Sequence, residues 1–253
     1  MSHIDIIAFD ADDTLWHNER LYTDAQARFK DLLAHYHSPE WIEARLYETE
    51  MRNLPHFGYG IKAFALSMIE TAVELTEGRI VGHDIQTIIN IAREMLSADV
   101  ELLEHTLEAV AQLSNTYKLM VITKGDLLDQ ELKIARSGLA AYFRHIEIVS
   151  DKTSASYAAL LRRYSIAPER FLMVGNSLRS DILPVLGLGA QAVYVPYYLT
   201  WAHEVVEPPP VAQQGYYQLA DLGLLPGLLE SLLRSSQADP RSGVGPRAPA
   251  RRV

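Results

Sequence analysis

The segment IIAFDADDTLW, from Ile6 to Trp16, runs four apolar residues straight into Asp10, Asp12 and Asp13. Like charges crowded at the end of a buried strand cost free energy unless a metal ion or a reacting group sits among them. Asp10 and Asp12 are two residues apart, so an extended backbone turns both to one side. Three more polar clusters end apolar runs further on: Thr123 and Lys124 close KLMVIT and begin KG, Lys152 follows HIEIVS, and Asn176 and Asp181 lie in GNSLRSD after RFLMVG. Together these positions offer a nucleophile or metal ligand, a hydroxyl donor, cations and further oxygen ligands. That set is suited to a phosphate and a hard divalent metal.

The elements that would bring these residues together follow from the pattern. Ile4 to Phe9 reads as a buried strand, and the next comparable run begins only at Lys118. The residues between read as helices: TDAQARFKDLLAHY with Thr23 or Asp24 as N-cap, SPEWIEARLYETEMRN with Ser38 as N-cap and Pro39 at the first helical position, then GIKAFALSMIETAVELT and HDIQTIINIAREMLSA. After Lys118 strands and helices alternate: a helix from about Leu127 stopped by Gly138, the strand HIEIVS, a helix around Tyr157 to Tyr164, RFLMVG, a helix near Asp181, and AQAVYVP. Such alternation predicts an α/β fold, a doubly wound parallel sheet with an α-helical cap domain inserted between its first two sequential strands. The expected division is a core of 1–16 and 106–233, a cap of 17–105, and a disordered tail over 234–253. In such sheets ligands bind beyond the carboxyl ends of the strands, where the aspartates fall.

This constellation resembles the haloacid dehalogenase superfamily, in its phosphatase branch with a helical cap, by order and spacing of elements over residues 4 to 233. DADDT resembles the first motif of that family, VITKG the second, Lys152 in SDKTSASY the third and VGNSLRSD the fourth. The set is specific because four short motifs fall in order at strand ends; each alone is weak. The resemblance implies Asp10 as the nucleophile that becomes an aspartyl phosphate, Asp12 as general acid and base, and Thr123 as a phosphate hydrogen-bond donor. It also implies Lys152 as the neutralising cation, with Mg²⁺ held by Asp10, the backbone carbonyl of Asp12, Asn176 and Asp181. Dehalogenases of the superfamily lack the second aspartate, so Asp12 points to phosphate chemistry. Two departures stand out. Asn176 replaces the usual acid after Gly, which predicts weaker metal binding, and Thr153 replaces the common Pro after the lysine, while Lys124 adds a cation that could share its role.

The remaining features have plainer readings beside sharper ones. Asp13 reads as a helix or turn cap. His17, next to the site, reads equally as a substrate contact or a hinge. HFGYGIK, His56 to Lys62, is either an ordinary interhelical loop or one that leans over the site, with Tyr59 and Lys62 touching the leaving group. Composition bounds the class: 253 residues can bury a full core, 48% hydrophobic and 22% charged residues fit a soluble globular chain, and a net charge of −9 disfavours nucleic acid as main partner. There are no cysteines and no long apolar run, so disulfides and membrane spans are not expected and the cytoplasm is the expected compartment. The leading expectation is a Mg²⁺-dependent phosphatase acting on a small phosphorylated metabolite. A phosphomutase and a non-catalytic phospho-ligand-binding protein are the alternatives; the oligomeric state is not legible.

Overall fold

A computed structural model describes residues 4–210 and 212–237. The core is a sheet of six parallel strands: β1 (Ile6–Phe9), β2 (Lys118–Lys124), β3 (Phe143–Val149), β4 (Phe171–Gly175), β5 (Gln191–Tyr194) and β6 (Tyr216–Gln218). Their order across the sheet is β3-β2-β1-β4-β5-β6. The chain winds outward from β1 to one edge and then returns to build the other side, so β1 and β4 flank the point where the winding reverses. Every residue of β1 is buried, and its side chains divide between the two faces with period two. Ile7 and Phe9 enter one apolar cluster with Leu119, Val121 and Val174, while Ile6 and Ala8 enter the other with Met120, Ile122 and Met173.

Between β1 and β2 the chain forms α1 (Glu19–Leu33), α2 (Pro39–Phe57), α3 (Ile61–Leu75), α4 (Gly82–Ser97) and α5 (Thr106–Ser114). The first four bury a cluster of their own around Phe29, Ile42, Phe64, Met68 and Ile88, which makes them a cap with a separate core. By contrast, α5 packs Ala109, Val110 and Leu113 into the cluster beneath the sheet. The two passages between cap and core run side by side: His17 N–H donates to the Glu101 carbonyl at 3.0 Å, and Leu103 N–H to that of Leu15 at 3.0 Å.

Most local signals are realised. Ser38 caps α2 by accepting from Trp41 N–H, with Pro39 at its first position. Beyond the sheet's midpoint come α6 (Leu127–Arg136), α7 (Ser154–Arg163), α8 (Leu183–Leu186) and α9 (Leu225–Gln237). Gly138, at φ 74°, follows α6 as expected. One cap expectation fails. Thr23 and Asp24 lie inside α1, which starts at Glu19, because Asp13 replaces them: its carboxylate accepts Asn18 N–H at 2.8 Å and Glu19 N–H at 3.0 Å. Asp13 holds φ 61° to do so. The helix expected near Asp181 begins with a wide π-turn, Leu178–Ile182, before α8. Edge strand β6 was not expected at all. The tail expectation over 234–253 meets α9 as far as Gln237, and 238–253 lie outside the described residues. Among the described residues no helix is long and apolar enough to cross a membrane.

Candidate active site

The carboxyl ends of β1, β2 and β4 and the loop after β3 bring Asp10, Thr123, Lys152, Asn176 and Asp181 to one cavity of about 170 Å³ closed over by the cap. Asp10 follows β1, and its N–H donates to Val174 O at 2.9 Å, which locks it to the neighbouring strand. Its carboxylate is held at both oxygens. Lys152 Nζ bonds Oδ1, and Thr14 Oγ1 donates to Oδ2 at 2.9 Å. Lys152 is 4% exposed and also donates to Asp181 Oδ1 at 2.8 Å. Burial alone would push this lysine down, but the two carboxylates outweigh it and hold its pKa above the ordinary range, so it is cationic at every working pH.

Asp181 is 1% exposed, and its second oxygen accepts Ser177 N–H at 3.0 Å. The π-turn makes this possible by folding the side chain back over Gly175. A Cβ on that glycine would meet Asp181 Oδ2 at 2.3 Å, so only glycine fits there. Burial raises the Asp181 carboxyl to about 7 against the pull of Lys152. With one oxygen on Lys152 and the other on the Ser177 amide, Asp181 orients the lysine.

The metal expectation can be tested on the oxygens that do converge. The terminal atom of the Asn176 amide that faces Thr14 Oγ1 at 3.2 Å also lies 3.1 Å from Asp10 Oδ2 and 3.3 Å from the Asp12 carbonyl oxygen. With nitrogen there, the amide donates to these atoms. With oxygen there, a half-turn about the same bond, three oxygens meet at separations close to the roughly 3 Å edge of an octahedron whose metal–oxygen bonds are about 2.1 Å. The set is one carboxylate, one main-chain carbonyl and one amide, and it fits a Mg²⁺ ion completed by water. It is lean in charge. Among the described residues no three His, Cys, Asp or Glu side chains converge as a ligand group.

Asp12 carries the main feature that the sequence did not reveal. Its carboxylate takes Lys133 Nζ at 2.8 and 2.9 Å, Trp16 Nε1 at 2.8 Å and Gln130 Nε2 at 2.8 Å. Burial would raise this acid, but Lys133, with Gln130 and Trp16, outweighs it and keeps it below the ordinary carboxylate range. Gln130 and Lys133 are three apart on α6, one face of a helix that starts just after β2. That spacing was visible in the sequence; its target was not.

The second cation has a partner of its own. Lys124 Nζ bonds Glu204 and donates to Ser180 Oγ at 2.9 Å, while Glu204 also accepts from Ser177 Oγ and from Ser180 Oγ at 2.7 Å. Burial opposes the Glu204 charge, but Lys124 and the two hydroxyls hold its pKa down to about 2. Tyr59 leans over this network from the loop between α2 and α3, its ring centroid 4.1 Å from Lys124 Nζ and its hydroxyl 3.4 Å from Asp151. Gly60, at φ 116°, lets the loop pass Asp126 closely. Lys62 does not line the cavity. It points outward to Asp126 Oδ1 at 2.9 Å, tying cap to core on the exposed side, away from the place where the leaving group is expected. His17 likewise faces Tyr197 OH at 2.7 Å beside the cap passage.

The chain belongs to the haloacid dehalogenase-like hydrolase family, whose model matches residues 4–186. Over 94% of its length it is 28% identical to glyceraldehyde 3-phosphate phosphatase of Pyrococcus furiosus, covering 97% of that protein. A solved haloacid dehalogenase-like family hydrolase from Xanthomonas campestris is 38% identical and superposes with a TM-score of 0.82, over 94% of this chain and 99% of that one. L-2-haloacid dehalogenase of Xanthobacter autotrophicus, 16% identical with a TM-score of 0.63 over 90% of this chain and 99% of that one, shares the fold.

Proposed function

We propose that the protein is a Mg²⁺-dependent cytoplasmic phosphatase that cleaves a small phosphate monoester, of the size of glyceraldehyde 3-phosphate, through an aspartyl phosphate on Asp10. The observation that carries this reading is the fixing of Asp10 at both oxygens by Lys152 and Thr14 at the floor of a capped cavity, with Asp12 two residues on. Residues 17–105 serve as the cap over a core of 1–16 and 106–233. Asp10, the Asp12 carbonyl and Asn176 would hold the metal, which supplies positive charge against the repulsion between carboxylate and phosphate.

In the first half-reaction an Asp10 oxygen bonds to phosphorus as the bond to the leaving oxygen breaks, and that oxygen takes a proton from Asp12, which has first to take it up from solvent against the pull of Lys133. Lys152 and Thr123 stabilise the transferring group. In the second half water attacks phosphorus, its proton passes to Asp12, and the Asp10–phosphorus bond breaks to release phosphate. Lys133 favours the ionised form of Asp12, which is the form the second half needs. Lys124 is engaged with Glu204 and serves as a brace for Tyr59 and the cap loop. The 28% identity to a glyceraldehyde 3-phosphate phosphatase along nearly the whole chain supports the triose-sized substrate. Phosphate release from glyceraldehyde 3-phosphate and p-nitrophenyl phosphate, with and without Mg²⁺, tests it. Metal-dependent release of free phosphate is expected. Transfer to a second hydroxyl of a sugar phosphate would indicate a mutase, and binding without turnover would indicate a non-catalytic receptor.

A further inference from the structure

The half of the cavity farthest from β1 is built from the cap, and its chemistry is uneven in charge. Seven carboxyl residues line the whole cavity, against two cations, Lys124 and Lys152. Both cations are bonded to carboxylates within the protein, Lys124 to Glu204 and Lys152 to Asp10 and Asp181. Lys152 remains oriented toward the phosphate end through Asp10. Nothing comparable faces the cap side. There Glu19, at the start of α1, and Glu50, in α2, are half-buried and form no ion pair among the described residues. The Trp201 indole lines the cavity with Glu50 and adds an aromatic wall beside the pair. Asn53 supplies an amide on the same side of the cavity.

We propose that Glu19 and Glu50 select the alcohol portion of the substrate, admitting a short hydroxylated group without negative charge and turning away esters whose alcohol carries a carboxylate or a second phosphate. This deepens the phosphatase reading and rests on it. A hydroxyl can donate to a carboxylate or accept from a carboxylic acid, so it is satisfied by this pair in either protonation state. Burial raises Glu19 to about 8 and Glu50 to about 7, with the neighbouring carboxylates adding to the rise at Glu19, so the pair offers both kinds of partner near neutral pH. A second anion, by contrast, would lose its hydration to a wall that holds no spare cation and would meet the charge of Glu19 or Glu50 wherever either is ionised. Desolvated like charges a few ångströms apart discriminate strongly at the effective dielectric of such a site.

The test compares two esters with the same three-carbon skeleton, glycerol 3-phosphate and 3-phosphoglycerate, and reads the ratio of their kcat/KM values. The native enzyme is expected to favour the first by about tenfold to a hundredfold. Assayed at about pH 9, where both carboxyls are ionised, the double variant Glu19→Gln/Glu50→Gln is expected to narrow that ratio by about tenfold, chiefly by raising kcat/KM for 3-phosphoglycerate; the two single variants should each narrow it part of the way. A native ratio near one, or a ratio unmoved in all three variants, would overturn the selection by this pair while leaving the phosphatase reading intact. Hydrolysis of p-nitrophenyl phosphate by the native enzyme separates the two claims: no turnover of any of the three esters would overturn the phosphatase reading, and this inference with it.

Discussion

Replacing Lys133 by Met removes the charge that holds Asp12 and keeps most of the aliphatic stem. The Lys133 side chain is 13% exposed and that of Asp12 22%, so solvent screens the pair only in part. Losing one partner of such a pair costs about 3–5 kcal/mol when the remaining charge is uncompensated. Here Gln130 and Trp16 still donate to Asp12, while Asp129, 3.5 Å from Lys133, also loses its cation. The two adjustments oppose each other, and a loss of about 3 kcal/mol is expected. The same change alters pH dependence. Asp12 has a depressed pKa in the folded state, so it contributes stability above the unfolded carboxylate value of about 3.9, and that stability is lost as pH falls through the lower folded value. Lys133→Met raises the folded pKa, removes this contribution and should leave the variant less stable at neutral pH, with a smaller part of its remaining stability lost on acidification through that window. Urea unfolding at a series of pH values between 3 and 8 measures both effects. A loss under about 1 kcal/mol at pH 7, or a pH profile parallel to that of the native protein, would refute the argument that Lys133 sets the charge of Asp12.

Asp12→Asn should slow turnover by roughly 10²–10⁴-fold, most for esters of poorly acidic alcohols, as a series of aryl and alkyl phosphates would show; equal slowing across the series would reduce Asp12 to a structural role. Asn176→Asp adds a charge to the lean oxygen set and should lower the Mg²⁺ concentration for half-maximal activity, measured by metal titration, and an unchanged value would remove Asn176 from the metal's reach. Gly175→Ala places a methyl 2.3 Å from Asp181 Oδ2 and should displace that carboxylate from Ser177 and Lys152, costing about 1–3 kcal/mol in thermal unfolding and lowering kcat at least tenfold; near-native values would mean the π-turn yields freely.

The parts of the site legible in the sequence are those written locally. Asp10 and Thr123 lie at the ends of apolar runs that read as buried strands, and Lys152 follows the partly exposed edge strand β3, so strand ends and winding order bring the three together. Asn176 and Asp181 were legible as a pair on one turn, but the wide π-turn that aims Asp181 at Lys152 depends on tight approach to Gly175, which no local pattern announces. Lys133 pairs with a residue 121 positions earlier, and Glu204 with one 80 positions earlier. Both look like surface charges in the sequence, because nothing in helix α6 or in the loop after β5 marks which face meets the cavity. The fold shows the same division. Ser38 with Pro39 is a complete local signal for the start of α2. The start of α1 is not written locally, because its cap comes from Asp13 across a tight turn, and the three residues of β6 cannot display a period.

The central claim is that Asp10 forms a covalent bond to phosphorus. Rapid quenching of the enzyme with an isotopically labelled phosphate ester in acid, followed by peptide mapping, tests it directly. Label should appear on the peptide containing Ile6 to Trp16, should be released by hydroxylamine as an acyl phosphate is, and should be absent from Asp10→Asn. Active enzyme with label on another residue, or with an Asp10→Asn variant that accumulates label at the native rate, would contradict the account.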